Sequence, residues 1–412
     1  MSDPSDSSDS SDPSDRSDRS DPFLRRVVEV LRSPPMPSDR SSITAPESAA
    51  GSSGSSGPAP LAVSGAGIAA AAGSLFCWTV TPLFVEYLTG SLDLWASNGW
   101  RYGIAALVWL PYLLWMLSRR QVAGWIWRRA LWPAFFSTTA QIAFVGAFYY
   151  TGPGMLTFGM RMQIVATAVG AAILFPAERL VIRRPSFLAG MAAVVVGVVG
   201  VALFAPAEVT GVVTGGLEGA PRESNLIGML LAAASGVGYA CYGMAVRRCL
   251  AGVSAKLSFS VISLYVGGSL LVLMTIFSAN PVEQLVALDG TAWTAMAVSI
   301  VFGLAAGHVI YFTAMAKLGV AQATGVVQLQ PFTVAAASWF VFGEMLSLPQ
   351  LVCGTVAVAG AALMLYTQHA MARRRRVDPA RELDQLPIDE VVALEEAELA
   401  GRAEAVADPP RR

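Results

Sequence analysis

The side chains that could do chemistry in this sequence are few, and most stand where water would be scarce. Arg161 interrupts the apolar run "LTFGMRMQIVATAVGAAIL". A guanidinium there either snorkels its long stem back to an interface or supplies the cation of an internal cavity that receives an anionic group. Gln163 follows it closely, and Gln328 with Gln330 stand in "VVQLQPF" further on, where an amide in an apolar setting needs a helix partner or water. His308 and Tyr311 are one helical turn apart, and Trp78 lies just before Pro82. Trp78, Arg161, Gln163, His308, Tyr311, Gln328 and Gln330 are therefore the candidate solute-binding residues. Hydrogen bonding between helices is the plainer alternative for the amides and the histidine, and packing is the alternative for Trp78. Four charged residues suit a structural or gating role. Glu86 and Arg101 form a candidate pair, and Glu178 and Glu344 each close a long apolar run, in "LFPAERLVIRRP" and "VFGEMLSLPQ". A carboxylate at a helix C-terminus opposes the macrodipole and wants a cation or water. Glu178 has Arg179, Arg183 and Arg184 nearby, whereas Glu344 has no basic neighbour and is expected to face water or to reach Arg101 or Arg222.

Catalysis finds little footing. The chain has 2 histidines, His308 and His369, so no zinc-binding HExxH pair exists, and no phosphate-binding loop is present to use ATP. The cysteines, Cys77, Cys241, Cys249 and Cys353, have no metal-ligand spacing and read as small packing residues. No cofactor, metal or nucleic acid is expected.

The elements that must hold these residues are membrane-spanning helices. Hydrophobic residues make up 54% of the chain and charged ones 14%, a balance that excludes an ordinary soluble domain. Ten apolar segments, each long enough to cross a hydrocarbon core of about 30 Å, fall near 66–88, 95–117, 131–151, 155–177, 186–205, 226–246, 257–278, 292–315, 320–343 and 349–367. Arginine and lysine gather in alternate connections: Arg119, Arg120, Arg128 and Arg129; Arg179, Arg183 and Arg184; Arg247, Arg248 and Lys256; Lys317; and Arg373 to Arg376. The opposite connections hold only Arg222, so both termini are expected in the cytoplasm of a plasma-membrane protein.

Residues 1–61, rich in Ser, Asp, Pro and Gly, read as a disordered cytoplasmic tail without a signal peptide, and 369–412 as a second cytoplasmic tail with a short helix over 387–405. The basic run 373–376 is placed against anionic lipid. Between the tails, 62–205 and 226–368 form two halves joined by an external connection, 206–225. "AAAGSLFCWTVTPLF" answers "AAASGVGYACYGMAV", and each helix-closing glutamate is followed by a proline, Pro185 or Pro349, and then a glycine, Gly190 or Gly354. Each half has five helices, an odd number, so the second must enter from the other side. The expected fold is all-α and polytopic, ten transmembrane helices as two inverted five-helix repeats.

At these residues the sequence resembles the drug/metabolite transporter superfamily, the ten-helix EamA type. The resemblance rests on "FCWTVTPLF", on "WRYGIAAL" opening the second helix, on the two glutamates and on the glycine-rich helix after each. The first half departs by being a few residues shorter before Glu178 and by lacking a proline where the second has Pro331. Members move amino acids, metabolites, sugars, nucleotide sugars and drugs, so the resemblance implies a secondary transporter of a small organic or drug-like solute working by alternating access, with efflux one of its directions. Membrane lipids are its surroundings, and a homo-oligomer is allowed. The alternative is an integral-membrane enzyme or scaffold without transport activity.

Overall fold

The computed structural model describes residues 65–174, 179–205, 222–318 and 320–377. Both expected tails beyond these limits, the helix expected over 387–405, most of the 206–225 connection and Glu178 lie outside the described residues. In the first half come α1 (Gly65–Thr89), α2 (Leu94–Ser118), α3 (Gly124–Phe148), the short α4 (Pro153–Gly159), α5 (Met162–Leu174), the single turn α6 (Arg179–Ile182) and α7 (Pro185–Leu203). In the second come α8 (Arg222–Cys249), α9 (Ala255–Phe277), the short α10 (Pro281–Val286), α11 (Gly290–Ile300), a π-helical turn Val301–Ala306, α12 (Gly307–Leu318), α13 (Val320–Val327), α14 (Gln330–Phe342) and α15 (Leu348–Val377).

The protein is an all-helical membrane protein. Among the described residues, 9 helices are long and apolar enough to cross a membrane, with α4 and α5 counting as one, α11, the π-helical turn and α12 as another, and α13 and α14 as a third. The helix α2 has the length but is not among them, since Asn98 and Arg101 lower its hydropathy. The third helix starts at Gly124 rather than near 131, because Trp125 and Trp127 are apolar enough to carry the helix through the basic pair that follows. Arg129 lies over the Trp125 ring at 5.3 Å, and Arg119 over Trp115 at 4.8 Å, so cations at this end rest on aromatic faces.

Helix pairing shows a two-fold relation between the halves. The most extensive packing is between α7 and α15, α3 and α8, α2 and α9, and α1 and α12. Exchanging the halves turns α3–α8 into α12–α1 and leaves α2–α9 and α7–α15 paired with themselves. Backbones touch along α7–α15: a Cβ on Gly190 would lie 2.7 Å from the Gly360 carbonyl oxygen, and one on Gly360 would lie 2.5 Å from that of Gly190. With no water to expel between helices in a bilayer, such close approach supplies the van der Waals contact that holds them.

One helix start is fixed by a cap that also reaches the other half. Asp93 accepts from the amides of Trp95 and Ala96, both at 2.8 Å, closing the N-terminus of α2. Its other oxygen accepts from Ser278 Oγ at 2.6 Å and Gln284 Nε2 at 2.8 Å, which ties α2 to the α9–α10 connection.

Candidate functional site

The two discontinuous spans meet at their breaks. In the second half, Pro331 has no amide hydrogen for the carbonyl four residues back, and α13 gives way to α14 at Gln328–Leu329. The first half has no proline there. The Arg161 amide instead shortens its reach to Phe158 O at 3.0 Å, and Arg161 Nε donates to the Thr157 carbonyl at 3.3 Å, the acceptor a regular helix would have given to the amide. The guanidinium then crosses to the other half, where Nη1 donates to Gln328 Oε1 at 2.7 Å and Nη2 to Gln330 Oε1 at 2.9 Å. Arg161 is buried, so its side chain turns inward instead of snorkelling.

Trp78 joins this crossing for a reason visible in α1. Pro82 leaves the Trp78 carbonyl without its usual helical donor, and Gln330 Nε2 fills the vacancy at 3.0 Å. The Trp78 ring lies 4.9 Å from Tyr311 and edge-on to His308 at 5.7 Å. Only a glycine fits beneath it, for a Cβ on Gly307 would come within 2.8 Å of Trp78 Nε1. Gly307 directly follows the π-helical turn, an insertion that often marks a functional place in a helix. Tyr311 Oη and Thr324 Oγ1 share a hydrogen bond of 2.9 Å, and the His308 ring faces the Gly303 backbone within the π-helical turn.

Six of the seven candidate residues are thus brought together by α1, the α4–α5 break, α12 and the α13–α14 break. Gln163 is not: its side chain is exposed and makes no hydrogen bond among the described residues, because the break points residue 161, and not 163, at the partner span. Sequence reasoning missed Thr79 and Thr333, whose hydroxyls meet at 2.6 Å where α1 crosses α14. Hydroxyls recur throughout apolar helices and carry no spacing signal.

The charged pair expected between Glu86 and Arg101 is not formed. Both are buried, but the Glu86 oxygens have no hydrogen-bond partner, and the charge acting on Glu86 is that of Glu344. Arg101 Nε donates to Ser299 Oγ at 3.0 Å, and its electrostatic neighbours are Tyr102 and Tyr239. They sit on successive helices, and α2 carries Arg101 towards the second half.

Glu344 also departs from expectation, since it is buried and does not pair with Arg101. Gly343, at φ +70°, ends α14 in the left-handed conformation and turns the chain so that the buried carboxylate meets the N-terminus of α4. Oε2 accepts from the Gly154 amide at 3.0 Å, Oε1 from the Met155 amide at 3.3 Å, and the Ser338 hydroxyl donates to Oε2. Burial pushes this carboxyl above its ordinary value, while the bonds from Ser338, Gly154 and Met155 pull it down. The sequence "TGPG" is explained by the same contact: a Cβ on Gly152 would lie 2.5 Å from Glu344 Cδ.

A cleft of about 500 Å³ lies elsewhere, lined by Leu94, Thr139, Ile142, Ala143, Gly146, Tyr149, Tyr150 and Leu231. It holds no charged group and none of the candidate residues, and so offers a polar solute little to recognise.

No curated protein matches the chain. One solved structure, described only as "Crystal structure of protein", aligns over 76% of this chain and 98% of its own, with 18% identity and a TM-score of 0.49. Residues 226–366 match the family described as "EamA-like transporter family". The match runs from α8 into α15, so this segment is similar to that family and supports a place for the protein in the drug/metabolite transporter superfamily.

Proposed function

We propose that the protein is a secondary transporter that carries a small organic solute by alternating access, with the solute held where the two broken spans cross. The observation that carries this reading is the Arg161 bridge to Gln328 and Gln330, which places a buried cation and two amides between the repeats, mid-way along spans whose helices are interrupted. Discontinuous helices at a repeat interface are a recurring way to build a solute site in a membrane. Around it, Trp78, Tyr311 and His308 supply aromatic surface. The basic connections favour a reading with both termini in the cytoplasm and the plasma membrane as the site of action.

The test is flux in liposomes reconstituted with the purified protein, across a panel of anionic, zwitterionic, neutral and cationic solutes. Saturable uptake that Gln330→Ala weakens at matched protein abundance is the expected result. Absence of flux for every class would sink the reading in favour of an enzyme or scaffold.

A further inference from the structure

Arg161 is the one group at the crossing whose charge the described protein leaves unmet. A guanidinium carries five N–H donors. Nε is engaged by Thr157, one hydrogen of Nη1 by Gln328 and one of Nη2 by Gln330, which leaves one N–H on each terminal nitrogen. The three acceptors are all neutral oxygens. Among the described residues no carboxylate forms an ion pair with Arg161 or acts on its charge. Glu344 is committed to the α4 amides, and Glu86 lies under the influence of Glu344.

A buried and uncompensated cation is costly, a burden a membrane protein retains where the charge is used. Its surroundings add to the positive potential. The helices α5 and α14 both begin at the crossing, at Met162 and Gln330, so their positive dipole ends face it, and α14 has no side-chain cap.

We propose that the transported solute is a monoanion, a small carboxylate whose two oxygens take the two remaining N–H bonds of Arg161. Charge balance selects one negative charge: a carboxylate neutralises the single guanidinium, whereas a phosphate monoester dianion would carry a surplus charge into a low-dielectric site. The paired terminal hydrogens fit the planar two-oxygen acceptor. This inference rests on the transport reading above.

The experiment measures flux of lactate and benzoate, of the uncharged lactamide and benzamide, of glycerol phosphate and of tetraphenylphosphonium, in liposomes containing the unaltered protein. At least one carboxylate should be carried saturably, with its amide or the phosphate ester at least about tenfold poorer. Arg161→Gln, at matched abundance and melting temperature, should lose that preference, and Arg161→Lys should fall between, since it keeps the charge but not the fork. The carboxylate-to-amide comparison needs no variant, so it stands even if Arg161→Gln fails to fold. Carriage of an amide, the phosphate ester or the cation, with the carboxylates neither carried nor competing, overturns this inference and leaves the transport reading intact. Flux of nothing in the panel overturns both.

Discussion

A single side chain can hold two halves of a protein together when it satisfies groups that nothing else can reach. The α4 amides of Gly154 and Met155 are such groups, and Glu344 of the second half accepts from both. Glu344→Ala should lower stability by about 1–3 kcal/mol, the usual consequence of losing a buried acceptor at a helix N-terminus, and this is readable as a fall in melting temperature in detergent. Gly152→Ala should act on the same contact, because the new methyl group must displace the carboxylate. The two changes together should therefore be little worse than Glu344→Ala alone. Additive losses would show that Gly152 matters for some other reason.

At the scale of the element, caps decide where helices begin, and one of them is tunable by pH. Burial raises the energy of the ionised Asp93 carboxyl, but the bonds from Gln284, Ser278, Ala96 and Trp95 outweigh it and hold the group below its ordinary value of 3.8. A lowered folded-state value means that its contribution to stability is full above 3.8 and is lost as pH falls through the lower folded value. Asp93→Ala should thus cost about 1 kcal/mol near neutral pH, with a smaller gap from the parent in strong acid, as measured by thermal unfolding across pH. The same contrast between local and distant partners explains what could be read from the sequence. Helix positions were legible because apolar length is a property of one segment, and six binding candidates were legible because polar side chains are conspicuous in spans. The partner of Glu344 was not, since backbone amides at a helix start leave no mark in residue type. Thr79 was hidden as well: its hydroxyl also bonds its own helix at Leu75 O, 2.8 Å away, so nothing in α1 asks for a distant partner. Glu86 and Arg101 have opposite charges near one end of adjacent helices, yet pairing depends on the facing of each helix, which Ser299 and the tyrosines decide for Arg101.

For the whole molecule, the exchange relation between halves constrains how it can move. If the two conformations of the transport cycle arise by the repeats trading shapes, a helix pair that the exchange maps onto itself meets the same neighbour before and after. The pair α7–α15 is of this kind, pressed backbone to backbone at Gly190 and Gly360. The pair α1–α14 is not, because its image is α8–α5. On the proposed cycle the first would act as an axle and the second as a leaf that swings. Each carries a natural place to test the difference: Thr367 Oγ1 lies 3.1 Å from Ser186 Oγ across the axle, and Thr79 Oγ1 lies 2.6 Å from Thr333 Oγ1 across the leaf. A disulfide between Ser186→Cys and Thr367→Cys should leave flux near that of the reduced protein. One between Thr79→Cys and Thr333→Cys should stop it until a reductant is added. Arrest by the first bond would mean that α7 and α15 slide past each other during the cycle. The glycines that let these helices touch would then be a track, and the stillest part of the protein would have to be sought elsewhere.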